Sequence, residues 1–184
     1  MTKSQNVIGS GERQRLLTLA RRALEARVGG QPAPAPEQGG VLDEPLGAFV
    51  TIRRHGELRG CLGRIAPDAP LAETVADLSA SVSNSDPRFS PVAPTELDDI
   101  DVEISVLTPE REVHSIAEIE PGRHGLIVEQ GHRRGLLLPQ VATEQGWDAE
   151  TFVAQTCRKA GLPADAWRNG ARIFVFEADV FREG

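Results

Sequence analysis

Apolar residues first recur with the 3.6-residue period of a helix: Leu16, Leu17, Ala20, Ala23, Leu24 and Val28 fall on one stripe over 12–28. Ser10 is placed to cap this helix and Gly29-Gly30 to end it. Residues 31–40, rich in proline and glycine, read as an extended surface connection, because a lone helix cannot bury its stripe. The period then becomes two. Ala48-Phe49-Val50-Thr51-Ile52 is β-rich, His55-Gly56 is turn-like, and 57–65 returns as the second arm of a hairpin. Helical spacing resumes with Leu71, Val75, Leu78 and Val82 behind Asp68-Ala69-Pro70, and Pro87 stops that helix in the residues before it.

The stretch 86–94, with three prolines and Phe89, reads as a packed loop. Asp101 to Val106 alternates polar and apolar, the pattern of a strand with one wet face. A short helical turn is expected near 115–119. A second hairpin follows, 126–129 returning as 135–138 around Gly131-His132-Arg133. Pro139 opens a short helix that Gly146 stops; Asp148 caps another over 149–160, with Gly161 and Pro163 beyond it. A last strand is expected over 171–181. Strands that come as hairpins, with helices interspersed and no β-α-β rhythm, point to an α+β fold with mostly antiparallel sheet. Residues 1–11 are expected to be a flexible N-terminus ahead of a single domain over 12–184.

Composition narrows the function classes. Lys and Arg number 20 against 27 Asp and Glu, a net charge of -7, which opposes a nucleic-acid partner because phosphate binding rests on basic side chains. No apolar run reaches the length of a membrane span, and the first residues lack a signal-peptide pattern. With Cys61 and Cys157 as the only cysteines, reduced thiols in a cytoplasm are the expectation.

Candidate chemistry concentrates in Leu58-Arg59-Gly60-Cys61-Leu62-Gly63. Strict alternation puts Leu58, Gly60 and Leu62 on one face and Arg59, Cys61 and Gly63 on the other. The two glycines leave room for a ligand or for another backbone. A guanidinium at Arg59 beside Cys61 favours thiolate, whereas the alternative is a cysteine packed as a small hydrophobe. The loop Asn84-Ser85-Asp86-Pro87-Arg88-Phe89 offers a carboxylate, a guanidinium and an aromatic anchor. Those residues either hold a polar ligand or hold the loop itself. Cys157, Trp147 and Trp167 read as packing residues. The histidines at 55, 114, 124 and 132 show no short ligand spacing, so no metal and no cofactor are expected; His114 or His124 remains a candidate partner for Cys61.

Several motifs occur in a recognisable order: Gly47 to Thr51, Leu58 to Gly63, Asp86-Pro87-Arg88-Phe89, Leu138-Pro139-Gln140-Val141-Ala142, Gly146-Trp147-Asp148, Cys157 to Pro163, and Trp167. Together they resemble the AMMECR domain family, whose prokaryotic members are called AmmeMemoRadiSam system protein A, from about Arg13 to Phe181. The resemblance implies two lobes with a cleft between them, the cysteine motif near that cleft, and linkage to a Memo-like protein and a radical S-adenosylmethionine enzyme. It implies no established reaction. The site expected on these grounds has Cys61 as nucleophile or covalent carrier, Arg59 tuning its thiolate, and Gly60, Gly63, Asp86 and Arg88 binding a small molecule or peptide. A non-catalytic adaptor that binds a partner protein is the alternative.

Overall fold

The computed structural model describes residues 8–66 and 68–184. The chain divides into two compact units, one running to Leu107 and taking back Asp179–Gly184, the other Thr108–Ala178. Each has its own antiparallel sheet and its own apolar core.

The first unit contains α1 (Ser10–Val28), β1 (Ala48–Arg54), β2 (Glu57–Arg64), α2 (Leu71–Val82) and β3 (Ile100–Leu107), joined at the end of the chain by β8 (Ala178–Arg182). Its sheet has the order β2-β1-β3-β8, so β2 is an edge strand. Leu16, Ala20 and Leu24 of α1 and Leu71, Val75 and Leu78 of α2 share one core with Val50, Ile52, Val102 and Ile104 of the sheet. The first helix begins earlier than its stripe implies, at Ser10, because Gly9 is the cap residue and its N–H donates to the Glu12 carboxylate at 3.0 Å. Of the stretch expected to be flexible, residues 1–7 lie outside the described residues, while Ile8 is buried in the core.

The single last strand expected over 171–181 is two strands. Glu177 interrupts it: the Thr108 N–H donates to the Glu177 carbonyl and the Glu177 N–H donates to Thr108 Oγ1, each at 2.8 Å. A backbone group bonded there cannot continue the ladder. β7 (Arg172–Phe176) therefore stays in the second sheet and β8 returns to the first. Arg13 holds the returning strand to α1 through a 2.7 Å ion pair with Asp179, and Arg21 does the same through Glu183.

The second unit holds β4 (Arg111–Val113), β5 (Gly125–Gln130), β6 (Arg133–Leu137), α3 (Pro139–Gln145), α4 (Ala149–Lys159) and β7, with sheet order β4-β7-β5-β6. β4 is three residues long, too short for alternation to reveal. Ser115 caps a 3-10 turn over Ile116–Glu118, and the Asp148 carboxylate accepts the Thr151 N–H at the start of α4. Gly146 ends α3 with φ 65, a left-handed value that glycine adopts freely. Phe152, Val153 and Cys157 of α4 pack on Leu126, Val128, Ile173 and Val175. Cys157 is fully buried, and Trp147 and Trp167 pack against the same cluster.

Gly135 lets α4 settle on β6, since a Cβ there would stand 2.3 Å from the Ala160 nitrogen. A backbone neighbour cannot rotate away as a side chain can. Gly135→Ala is expected to destabilise the chain by about 1–3 kcal/mol, the cost of overpacking. Urea unfolding measures this, and an unchanged midpoint refutes the close contact.

Candidate functional site

The site is built on the β1–β2 hairpin and the loop after α2. Between Ile52 and Arg53 the register shifts by one residue: Arg53 faces Leu58, but Ile52 faces Gly60. Arg59 is the extra residue, a β-bulge. The bulge breaks the alternation expected for the motif. Gly60 stays buried on the core face and Leu62 packs against the core, but Leu58 pairs with Arg53 and is exposed. The bulge also brings Cys61 opposite Thr51, whereas an unshifted count sets Thr51 opposite Gly60.

That pairing gives the sulfur its nearest partner: the Thr51 hydroxyl donates to Cys61 Sγ at 3.2 Å. Thr51 is buried and Cys61 is half-buried. The Cys61 N–H points away from β1 and donates to the Asp86 carboxylate at 3.0 Å.

Asp86 is 4% exposed. A buried carboxylate is costly unless its oxygens are satisfied, and here they are. The Arg88 side chain donates to it through Nε at 3.0 Å and Nη2 at 2.7 Å, and the Arg88 N–H adds a bond at 3.1 Å. The Arg88 fork holds the Asp86 carboxyl well below the usual carboxylate range, with the Cys61 and Arg88 N–H groups pulling the same way against burial. The Arg88 guanidinium is stabilised in turn by its hydrogen bonds to Asp86. Nη1 stays outside the fork, on a side chain 57% exposed. Arg88 and the Cys61 backbone thus share one carboxylate.

Arg59, expected to tune the thiolate, is turned elsewhere. Its Nε and Nη2 donate to the Glu96 carboxylate at 3.0 and 3.1 Å, and its Nη1 donates to the Ser90 carbonyl at 3.0 Å. The Arg59 bond, followed by the Ala93 N–H, lowers the Glu96 pKa to about 2. The Phe89 ring lies near both guanidiniums, its centroid 6.0 Å from Arg59 Cζ and 5.4 Å from Arg88 Cζ.

Both motif glycines meet protein. A Cβ at Gly60 would come 3.0 Å from Val82 Cγ2 at the end of α2, and one at Gly63 would stand 2.2 Å from the ring of Phe49, its cross-strand partner. Of the histidines, only His55 belongs to the same unit; it sits at the hairpin tip with Nε2 3.6 Å from Asp99. His124, in the other unit, is buried, accepts the Glu120 N–H through Nδ1 at 3.0 Å, and has its pKa lowered by that burial. Cys157 is a poor nucleophile because burial pushes its thiol pKa up. Among the described residues no group of three or more His, Cys, Asp or Glu side chains is placed to hold a metal ion. No helix among them is long and apolar enough to cross a membrane.

Thr51 and Glu96 are the site residues that pattern reading missed. Glu96 carries a signal in hindsight, since Ala93-Pro94-Thr95-Glu96 has the spacing in which a carboxylate folds back on a turn, and the Ala93 N–H donates to Glu96 at 2.8 Å. Thr51 carries none, because its position depends on the bulge.

Comparison with known proteins agrees with this architecture. The AMMECR1 family model matches residues 17–181. A protein of Methanothermobacter thermautotrophicus is 47% identical, with 94% of each chain aligned. Protein TK0174 of Thermococcus kodakarensis is 45% identical over 91% of this chain and 88% of its own. The crystal structure of the uncharacterized protein PH0010 from Pyrococcus horikoshii superposes with a TM-score of 0.74 at 41% identity, covering 91% of this chain and 89% of that one.

Acid titration reads the two carboxylates. Both have folded pKa values below their unfolded ones, so their contribution to stability is present above about pH 4.5 and is lost as the pH falls. For Glu96 the loss spans its ordinary 4.5 down to about 2. Glu96→Gln is expected to flatten the fall of the unfolding midpoint over that window. Asp86→Ala, which leaves the Cys61 N–H without its acceptor, is expected to cost about 1–3 kcal/mol near neutral pH. An Asp86→Ala protein as stable as wild type shows that the carboxylate does not hold the strand.

Proposed function

The chain belongs to the AMMECR1 family, and we propose that it is a thiol-dependent component of the AmmeMemoRadiSam system that modifies a small molecule or peptide at Cys61. The observation that supports this reading most is the environment of the sulfur. Cys61 is partly open, receives a hydroxyl hydrogen bond from Thr51, and has its N–H on the same Asp86 carboxylate that holds the Arg88 guanidinium. A hydroxyl that orients the sulfur and an arginine held at the same carboxylate as the cysteine strand are parts that a nucleophilic cysteine and its anion-binding partner use.

The roles then divide. Cys61 is the nucleophile or covalent carrier, and Thr51 orients its sulfur. Arg88, through its unengaged Nη1, receives a negatively charged group of the substrate. Asp86 positions Arg88 and the Cys61 backbone; charge-paired and fully bonded, it is a weak base. Arg59 acts one step away, fixing the loop through Glu96 and the Ser90 carbonyl. Gly60 and Gly63 admit Val82 and the Phe49 ring, and so shape the site by packing. A Memo-like protein and a radical S-adenosylmethionine enzyme are the proposed partners, on the family resemblance.

The second reading is a non-catalytic adaptor, favoured by the packing partners that both motif glycines have. Alkylation separates the two. With iodoacetamide on the native protein, Cys61 is expected to react at least about tenfold faster than buried Cys157, and Thr51→Val and Arg88→Gln are expected to slow it. Cys61→Ser is expected to keep the wild-type unfolding midpoint within about 1 kcal/mol. A Cys61 inert in the folded protein ends the covalent reading. Retention of a Memo-like or radical enzyme partner by Cys61→Ser, lost on changes to Arg88 or Phe89, then supports the adaptor.

A further inference from the structure

The backbone edge of β2 is closed at one end and open at the other. Opposite residues in an antiparallel pair alternate between those that exchange hydrogen bonds and those whose N–H and C=O point away from each other. The Cys61 N–H reaches Asp86, so the Thr51–Cys61 pair is of the second kind. Two residues on, the Phe49–Gly63 pair is too. The Cys61 carbonyl and the Gly63 N–H and carbonyl therefore point off the edge of the sheet.

Exposed strand edges are normally blocked. Here the bulge at Arg59 and the Asp86 carboxylate block the edge as far as the Cys61 N–H. Beyond it, among the described residues, none donates to the Cys61 or Gly63 carbonyl or accepts the Gly63 N–H on that side. Gly63 is exposed, and Ile65, next along the same edge, is 45% exposed. Arg64, which lies between them, has one ion-pair partner among the described residues, Asp77 at 3.9 Å.

We propose that this open edge binds the C-terminal tail of a peptide or protein as an added strand, antiparallel to β2. The direction follows from where the edge is closed. An added strand that enters beside Ile65 must end at Cys61, because Asp86 occupies the next hydrogen-bonding position. Its last group meets Arg88 Nη1, which has no hydrogen-bond partner among the described residues, and a terminal carboxylate is the anion every peptide C-terminus supplies. The Cys61 and Gly63 backbone groups pair with the tail, Ile65 offers it an apolar contact, and side chains of opposite residues in adjacent strands lie about 5 Å apart. A tail residue on the thiol's face then stands within reach of Cys61 Sγ. The inference rests on the thiol reading for what happens to the bound tail, but the binding itself does not need the sulfur.

The test uses the full chain and a pool of seven-residue peptides in which valine alternates with randomised positions and the C-terminus is a free carboxylate. Amide hydrogen exchange is followed by NMR. The pool is expected to slow exchange at Gly63 at least about tenfold, with the same protection in Cys61→Ser. Amidating the peptides is expected to weaken binding about tenfold or more, the range for a lost charge-assisted bond. Methylating alternate peptide nitrogens is expected to abolish it. Ile65→Pro, which removes an edge N–H outside the regular strand, is expected to lower the affinity without unfolding the protein.

Binding by the methylated pool as tight as by the parent pool, or no protection of Gly63, overturns the proposal. So does protection of Gly63 in the peptide-free protein together with a dimer in sedimentation, which assigns the edge to a second copy of this chain. Protection that persists while Cys61 proves inert to alkylation keeps the tail site and ends the thiol reading; the converse result keeps the thiol and ends the tail site.

Discussion

The Asp86 carboxylate is the constraint on which the site depends. It is nearly inaccessible to water, and an unpaired charge there would cost several kcal/mol. It accepts from the Cys61 N–H, the Arg88 N–H and the Arg88 side chain, which compensates its burial. Three otherwise separate things are fixed as a result: the loop after α2, the edge of the sheet at Cys61, and the direction of the Arg88 guanidinium. An amide of the same shape could accept at one oxygen only and could not receive the two-pronged fork. The residue type follows from the geometry.

Two arginines near Cys61 have taken different work, and the bulge decides which does what. By inserting Arg59 as an extra residue, the hairpin sends its guanidinium to Glu96 and the Ser90 carbonyl. That leaves Arg88, bonded to Asp86 through Nε and Nη2 and near the Phe89 ring, with Nη1 unbonded among the described residues. One is 13% exposed and the other 57%, so the first is enclosed by its partners and the second is open to solvent.

The elements were legible because their signals are local. The α2 stripe from Leu71 to Val82, the Asp148 cap and the Gly146 stop need only neighbours in sequence, and all stand where the pattern places them. The failures involve tertiary decisions. Nothing in 171–181 announces that Glu177 bonds to Thr108 and divides the strand between two sheets. The bulge is likewise invisible, and with it go the exposure of Leu58, the turning of Arg59 and the pairing of Thr51 with Cys61. Residue types named the loop Asp86 to Phe89 as a place of interest, but a carboxylate and a guanidinium two residues apart are equally consistent with an external ligand. Distances were needed to show that they bind each other and the cysteine strand.

The glycines change what the motif means. Read alone, Gly60 and Gly63 around a cysteine suggest a surface pared down for a ligand. In the fold each is pared down for protein, Gly60 for the end of α2 and Gly63 for the Phe49 ring. Their effect on the site is still direct. Gly60 lets the end of α2 lie against β2, and the loop that leaves α2 at Ser83 carries Asp86 to the Cys61 N–H. Gly63 leaves room for the Phe49 ring, which a Cβ there would meet at 2.2 Å. A motif that looks like a binding surface is thus a packing device, and the backbone beyond the Cys61 N–H on its outer edge has no hydrogen-bond partner among the described residues.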